Sequence, residues 1–320
     1  MQYSTRLPPA IFLMGPTASG KSQIALDITE NFPVEIISVD SAQVYRHLDI
    51  GTAKPDPATL IRAPHHLINL IDPNQHYSAA LFRNDALKVM HEITQRNKIP
   101  LLVGGTMLYF RALQDGLSIL PSADKSLRLK LENMANELGW PAMHQKLEEL
   151  DQETAARIKP TDSQRIQRAL EVCYLTQQPM SEILKTPRKA DFPYCKISIA
   201  LIPSDRSQLH LRIAERFETM LSHGLIDEVR SIRQQFSLDM ESPSMRCVGY
   251  RQTCLYLDNK INSTELHDMG VAATRQLAKR QLTWLRSIKA DEVKDFDCLT
   301  SNLTTQVKHF LHAVIEKHSV

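Results

Sequence analysis

Short apolar runs alternate with stretches of helical periodicity over the first third of the chain. The runs lie at residues 10–14, 34–39 and 100–103, and each has the length and composition of a buried strand. Apolar residues at helical spacing follow at residues 21–31 and again after Ser78, which can cap a helix. The apolar face of that second helix is formed by Phe82, Ala86, Val89 and Ile93. Alternating strands and helices predict an α/β fold with a parallel sheet.

The pattern changes in the middle of the chain. Residues 121–187 show helices with charged faces and no strand candidate, which indicates a helical insertion. Residues 196–202 alternate and become apolar again, as expected if the chain returns to the sheet. Two long helices follow, one with a stripe from Leu209 to Met220 and one at about residues 263–288, and the tail from residue 301 predicts another helix. The predicted domains are a core of residues 1–120 and 191–320 and an all-helical insertion domain of residues 121–190.

Composition narrows the class of protein. The chain has 320 residues, 42% of them hydrophobic, which is enough for more than one core. The net charge of +2 does not by itself indicate a nucleic-acid partner. Five scattered cysteines without a C-x-x-C pair argue against disulfides and a zinc site. We expect a cytoplasmic protein without membrane association, because the sequence has neither a signal-like start nor an apolar run long enough to span a bilayer.

The sequence GPTASGKS at residues 15–22 follows the first predicted strand and begins a helix. In such a P-loop the glycines let backbone N–H groups converge on phosphate oxygens, and the lysine adds a charge. The predicted phosphate-binding residues are Gly15, Thr17, Ala18, Ser19, Gly20, Lys21 and Ser22. Ser22 is also the candidate ligand for a Mg²⁺ ion that bridges phosphates.

Hydrolysis of a nucleoside triphosphate usually needs an acidic residue at the end of an apolar strand, and the third strand ends instead in Gly104-Gly105-Thr106. The carboxylate that does follow a strand is Asp40. It is a candidate general base beside the phosphates. A contact to the metal's water shell and a helix cap remain alternatives for the same residue.

Five blocks in this order resemble the tRNA dimethylallyltransferases, also called tRNA isopentenyltransferases. The blocks are GPTASGKS, VDSAQVYRHLDIGTAKP (39–55), VGGTMLY (103–109), RCVGYRQ (246–252) and TRQLAKRQLTWLR (274–286). The resemblance covers nearly the whole chain. It implies transfer of a dimethylallyl group from dimethylallyl diphosphate to N6 of the adenine 3′ of the tRNA anticodon, with the diphosphate in the P-loop and release of diphosphate. It also implies a monomer.

The resemblance carries roles onto particular residues. Thr106 resembles the residue that contacts the target base, although a helix cap is equally compatible with its position. Arg216 is a candidate residue for holding the diphosphate. An ordinary exposed position, one turn after Arg212, is equally compatible with the sequence. Arg275 falls on the apolar stripe of the last long helix, so it would point to the diphosphate or form a buried ion pair.

The target adenine must be unstacked from the anticodon stem-loop before N6 can be reached. The expected tRNA contacts are Asp40, Ser41, Ala42, Gln43, Thr106, Arg128, Gln164, Arg165, Ile166, Gln167, Arg168, Arg246, Cys247, Val248, Gly249, Tyr250, Arg251, Lys279, Arg280, Gln281, Trp284 and Arg286. Within this set, the ring of Tyr250 would stack on a base, and Trp284 is favoured more as a core residue than as a stacking platform.

Three other functions compete with this one. A small-molecule kinase would hold ATP in the P-loop, but basic segments remote from the loop would then have nothing to bind. An adenylate prenyltransferase would leave the insertion without a substrate to contact. A GTPase-like RNA-binding module would need a guanine-specifying N-K-x-D sequence, which this chain lacks.

Overall fold

The computed structural model describes residues 7–118, 120–185, 192–289 and 291–319, with side chains up to residue 316. It forms two compact units, one of residues 1–114 and 192–320 and the other of residues 115–191. We call them the sheet unit and the helical unit. The predicted end of the insertion, at residues 187–190, lies outside the described residues.

The sheet unit contains six parallel strands in the order β3-β2-β4-β1-β5-β6. Their bounds are β1 Pro9–Met14, β2 Val34–Val39, β3 His65–His66, β4 Ile99–Gly104, β5 Cys195–Ile202 and β6 Lys294–Asp297. The α/β fold with a parallel P-loop sheet is therefore confirmed. The sequence did not predict β3 and β6, because a two-residue strand and a strand with one apolar residue, Phe296, carry almost no apolar signal.

The register of the sheet places three strand ends in one row. Val39 of β2 lies opposite Gly104 of β4, and Gly104 lies opposite Met14 of β1. The chain leaves all three strands at the same edge of the sheet, which is the edge where parallel α/β folds bind ligands. The segments that begin at Gly15, Asp40 and Gly105 are therefore neighbours.

Helices cover both faces of this sheet. The helices of the sheet unit are α1 Lys21–Thr29, α2 Pro57–Arg62, α3 Ala79–Gln95, α4 Met107–Asp115, α10 Arg206–Ser222, α11 Leu225–Phe236, α12 Tyr250–Leu257, α13 Ser263–Leu285 and α14 Leu303–Ser319. The apolar faces of α1 and α14 share a core with Ile11 and Leu13, whereas α3, α4 and α10–α13 share the opposite core with Phe12. This alternation along β1 follows from side chains pointing to opposite faces of a strand.

The predicted helices differ from the observed ones in detail. Ser78 caps α3 as predicted, because its hydroxyl accepts a hydrogen bond from the N–H of Leu81. Phe82, Ala86 and Ile93 are buried as predicted, but the fourth buried residue is Met90, whereas Val89 is only half-buried. Helix α13 ends at Leu285, three residues before the predicted end.

The helical unit has its own core, formed by α5 Lys125–Leu138, α6 Trp140–Leu150, α7 Gln152–Ala155, α8 Ser163–Thr176 and α9 Met180–Lys185. Its only fully buried carboxylate among the described residues is Glu171, whose side chain is 0% exposed. Arg128 donates two hydrogen bonds to it, at 2.9 and 3.0 Å, and Arg168 donates a third at 2.5 Å. Burial would raise the pKa of Glu171, but these donors outweigh burial and hold that pKa below its usual value.

None of the described helices combines the length and the apolar character that crossing a membrane requires. None of the five cysteines, all of them among the described residues, forms a disulfide, and Cys173, Cys254 and Cys298 are buried.

Removing the charge of Glu171 should destabilise the helical unit. In Glu171→Gln, two guanidinium groups lose their buried partner, and we expect a loss of roughly 3 kcal/mol in the free energy of unfolding. Because the folded pKa of Glu171 is lowered, its contribution is present above the ordinary glutamate pKa of about 4.3 and is lost as the pH falls below it. Hydrogen exchange of residues 125–185 in the full chain measures the effect.

Glu153→Gln is the matched control, since Glu153 is about half exposed and pairs with Arg157 and Lys185 at the surface. Such exposed pairs contribute at most about 1 kcal/mol. Equal protection of the two variants from exchange would contradict a special role for Glu171.

Candidate active site

The phosphate loop, residues 15–22, joins β1 to α1 with a backbone that only certain residues adopt easily. Gly20 has a φ of 83° and Ala18 a φ of 62°, both in the left-handed region. A side chain on Gly15 would lie 2.7 Å from the hydroxyl of Ser19 and 3.1 Å from the carbonyl oxygen of Leu201 on β5. The loop is therefore closely fitted to the strand beside it, with α1 beginning at Lys21.

Lys21 lies inside this loop rather than in solvent. Its Nζ donates to the carbonyl oxygen of Pro16 at 2.6 Å. Burial and the nearby charge of Arg216 lower the pKa of Lys21 to about 7, and Asp40 partly opposes them. Burial also lowers the pKa of Arg216, again against the attraction of Asp40. Two half-buried cations beside one carboxylate form a site suited to an anion.

The role of Arg216 in holding the diphosphate stays a prediction, and the structure gives its position. It is half-buried on α10, on the side that interacts with Lys21 and Asp40. The alternative of an ordinary exposed position is wrong. Ser22 is exposed at the first turn of α1, where its hydroxyl is of a type that Mg²⁺ accepts as a ligand.

Asp40 and Thr106 come together because β2 and β4 are adjacent. Oδ1 of Asp40 accepts from the N–H groups of Ala42 and Gln43, at 2.8 and 3.4 Å. The hydroxyl of Thr106 accepts from the N–H of Ser41 at 3.1 Å. Among the described residues, Oδ2 of Asp40 receives no hydrogen bond. The carboxylate is therefore fixed through one oxygen and leaves the other for a ligand.

Gly104, at the end of β4, lies tightly against the backbone of β2. A Cβ atom there would lie 2.0 Å from the carbonyl oxygen of Val39, so no side chain fits without separating the strands. The N–H of Thr106 donates to the same carbonyl at 3.2 Å. The absence of an acidic residue at this strand end, noted in the sequence, has a steric cause.

A carboxylate that the sequence did not single out holds the segment after Asp40. Glu228 of α11 accepts from the N–H groups of Asp49, Ile50 and Gly51, at 3.1, 2.7 and 3.3 Å. It also accepts from the hydroxyl of Tyr250 at 2.6 Å. Nothing in the sequence pattern marks Glu228, because its partners are backbone groups 177–179 positions away.

Tyr250 does not have the predicted role of a base-stacking ring. Its side chain is fully buried, and burial together with Glu228 raises its pKa well above the usual value. Gly51 lies against the ring, since a side chain on Gly51 would come within 2.5 Å of it. Tyr250 therefore packs the core beneath the Asp49–Gly51 backbone, and its ring is not available to RNA.

Gln281 is also displaced from its predicted place among the RNA contacts. It is 9% exposed, its Oε1 accepts from the N–H of Thr17 at 2.9 Å, and its Nε2 donates to the carbonyl oxygen of Gly105 at 2.9 Å. Trp284 differs from the favoured core position, because it is 37% exposed with the guanidinium of Arg111 5.6 Å above its ring. The sequence suggested an RNA-facing Gln281 and a core Trp284, and the structure shows the reverse burial.

Arg275 is exposed, so the prediction that it lies on a buried face is wrong. It lines a cleft of about 410 Å³ between α10 and α13, where the apolar stripe opens to solvent. The cleft's other basic side chains are Arg206, His210, Lys279 and Arg286. No described carboxylate forms an ion pair with Arg206, Arg275, Lys279, Arg280 or Arg286. This face of the sheet unit therefore has uncompensated positive charge.

The predicted RNA contacts of the helical unit divide into two groups. Gln164 and Arg165 are exposed, and Arg165 makes only a surface pair with Asp162 at 3.3 Å. Ile166 is fully buried in the unit's core, contrary to its place among the RNA contacts. Gln167 donates to the carbonyl oxygen of Arg128 and to Glu132. Arg128 and Arg168 are partly exposed but bind Glu171, so their first role is to neutralise that carboxylate.

The RCVGYR segment has exposed cations at both ends. Arg246 pairs with Glu241 at 2.8 Å, and Arg251 is exposed at the start of α12. Between them, burial and the nearby Asp40 raise the pKa of the Cys247 thiol to about 12, which keeps it neutral. Val248 is half-buried, and Gly249 is buried with a φ of 91°.

Comparison with known proteins gives one consistent result. The family profile described as IPP transferase matches residues 43–288. A protein of Nitrosospira multiformis named tRNA dimethylallyltransferase is 64% identical over 304 residues, which are 95% of this chain and 94% of that protein. The crystal structure of the full-length tRNA isopentenylpyrophosphate transferase from Bacillus halodurans is 34% identical with a TM-score of 0.70, covering 97% of this chain and 98% of that one. A structure of a eukaryotic dimethylallyltransferase acting on tRNA, 24% identical, shares the fold with a TM-score of 0.80 over 98% of this chain and 80% of its own.

The lowered pKa of Lys21 predicts that anion binding takes up a proton. In the free protein, Lys21 loses its proton as the pH rises through about 7, and a bound anion raises that pKa again. Binding of inorganic pyrophosphate should therefore take up more protons at pH 8 than at pH 6. Calorimetry in buffers of different ionisation enthalpy measures the uptake.

Lys21→Arg is the control, since a guanidinium stays protonated throughout this range. Protons taken up by pyrophosphate itself are common to both proteins and cancel in the difference. Equal proton uptake by the two proteins at pH 8 would show that Lys21 is already charged before the anion binds.

Proposed function

Because this chain belongs to the IPP transferase family, we propose that its phosphate loop holds dimethylallyl diphosphate and that Asp40 accepts a proton from an adenine amine of tRNA. The chain is a tRNA dimethylallyltransferase, as its relatives at about 60% identity are. The acceptor atom is N6 of the adenine 3′ of the anticodon.

The reaction forms a bond between N6 of adenine and C1 of the dimethylallyl group and breaks the bond from C1 to the diphosphate oxygen. The electron pair of the broken bond leaves with diphosphate. N6 is a weak nucleophile because its lone pair is delocalised into the ring. A base must therefore accept the N6 proton as the bond to C1 forms. The free Oδ2 of Asp40 is the single observation that best supports this assignment.

The charge that develops on the leaving diphosphate needs stabilisation in the same place. Lys21, Arg216 and the N–H groups of the phosphate loop provide it on the protein side. The residue types present also fit Mg²⁺, for which Ser22 would be the protein ligand. When bound, the ion would neutralise part of the diphosphate charge. No water has to be activated, which agrees with the steric exclusion of a carboxylate at Gly104.

The tRNA would contact exposed cations on both units. On the sheet unit these are Arg251, Lys279, Arg280 and Arg286, and on the helical unit the clearest is Arg165. Phosphate contacts of this kind supply affinity without sequence specificity. The base itself would be selected beside Thr106 and Asp40.

The proposal is tested by incubating the protein with labelled dimethylallyl diphosphate, Mg²⁺ and either unmodified tRNA or AMP. Label should enter tRNA alone and should be found on the adenine 3′ of the anticodon after digestion. Asp40→Asn should bind tRNA and pyrophosphate as the wild type does, because an amide oxygen can still accept from Ala42 and Gln43. Its kcat should fall by about 100- to 10,000-fold. Undiminished turnover would exclude Asp40 as the base, and label in AMP would exclude tRNA specificity.

Arg165→Ala should weaken tRNA binding in proportion to the phosphate contact it removes. The slope of log affinity against log salt should become shallower by about 1, with pyrophosphate affinity unchanged. Replacing Arg168 as well would confound the result, since Arg168 also binds Glu171. Arg157→Ala is the control, because Arg157 is an exposed arginine of the same unit that pairs with Glu153. Identical salt dependence of Arg165→Ala and wild type would contradict the assignment.

A further inference from the structure

Gln281 connects the two ends of the proposed reaction through one side-chain amide. Its Oε1 accepts from the N–H of Thr17 in the phosphate loop, and its Nε2 donates to the carbonyl oxygen of Gly105, one residue before Thr106. Both distances are 2.9 Å. Only this orientation of the amide satisfies a donor on one side and an acceptor on the other.

The contact is closely fitted on the Gly105 side. A Cβ atom on Gly105 would lie 2.2 Å from Nε2 of Gln281 and 3.2 Å from the carbonyl oxygen of Gly15. Glycine at position 105 therefore lets α13, the phosphate loop and the end of β4 meet at one point. The helix is anchored at that point by Ala278 and Leu282, which are almost fully buried.

The bridge continues to the proposed base. Gly105 leads directly to Thr106, whose hydroxyl accepts from the N–H of Ser41, the residue after Asp40. The path Thr17, Gln281, Gly105, Thr106, Ser41 thus runs from the leaving-group end to the acceptor end. Every non-covalent link in it is a hydrogen bond of 2.9–3.1 Å.

We propose that Gln281 is a positioning residue that sets the separation between the phosphate loop and the Asp40–Thr106 pair. This inference rests on the proposed placement of diphosphate and adenine at those two ends. Gln281 touches neither reacting group, and its effect comes through the backbone of Thr17 and Gly105. Transfer requires C1 and N6 to meet in line, and a displacement of about 1 Å can lower the rate about 100-fold.

The first test is Gln281→Met, which keeps the length of the side chain and removes both hydrogen bonds. We expect kcat to fall about 10- to 100-fold, while the KM values for tRNA and dimethylallyl diphosphate change by less than about 3-fold. Thermal unfolding should show that the variant is folded at the assay temperature. Gln95→Met is the matched control, an exposed glutamine at the end of α3, and it should have wild-type kinetics.

The second test is Gln281→Glu, which tests the positioning role of Gln281 even if Gln281→Met does not fold. A protonated carboxyl has the same donor and acceptor pattern as the amide, whereas the carboxylate cannot donate to Gly105. The ratio of its kcat to that of the wild type should therefore rise as the pH is lowered from 8 to 5.5. The ratio removes the common effect of pH on the base.

A ratio that stays constant with pH, or a folded Gln281→Met with wild-type kcat, would overturn the inference. So would a loss that lies wholly in KM, because the bridge would then serve binding rather than geometry. These outcomes are distinct from failure of the proposed function. If the proposed function were wrong, Asp40→Asn with Gln281 intact would turn over as fast as the wild type.

Discussion

The register of the parallel sheet is the constraint on which the site depends. Val39, Gly104 and Met14 lie in one row, so three segments leave the sheet at the same height and side by side. One segment becomes the phosphate loop, one begins with Asp40 and one leads to Thr106. A shift of one residue between β2 and β4 would turn the side chains to the opposite face and separate these groups. These segments lie close together because the strands that they follow are hydrogen-bonded neighbours.

Burial changes the pKa values of the cations at this site. Lys21 would be an ordinary exposed lysine on most helices, but here burial and Arg216 lower its pKa to about 7. Loss of the Lys21 proton would lessen its repulsion with Arg216, and an anion bound beside them would raise the pKa of Lys21 again. Asp40 is close enough to interact with both cations, and its Oδ2 accepts no hydrogen bond from the described residues. The charge of Asp40 therefore acts on the pKa values of both Lys21 and Arg216.

Much of this could be predicted from the sequence, and the failures share a cause. Strands β1, β2, β4 and β5 and the phosphate loop were predicted because local apolar runs and glycine spacing encode them. The burial of Tyr250, the bridge by Gln281 and the contacts of Glu228 were not, because each depends on partners far away in the chain. The burial of Arg275 was wrongly predicted for a related reason. Helical spacing shows which residues share a face of α13, but it does not show that part of this face is open to solvent. The resemblance to known motifs named whole segments and did not separate their exposed residues from buried ones such as Tyr250 and Ile166.

The lack of space at Gly104 also bears on how this architecture can change. Phosphate loops of this kind serve nucleotide hydrolysis when an acidic side chain ends a neighbouring strand. Here any side chain at that strand end would collide with the backbone of β2, at 2.0 Å for the first carbon alone. A side chain at Gly104 itself therefore cannot supply the carboxylate unless β2 and β4 first move apart. Backbone contact, rather than the chemistry of the site, is therefore what restricts position 104 to glycine.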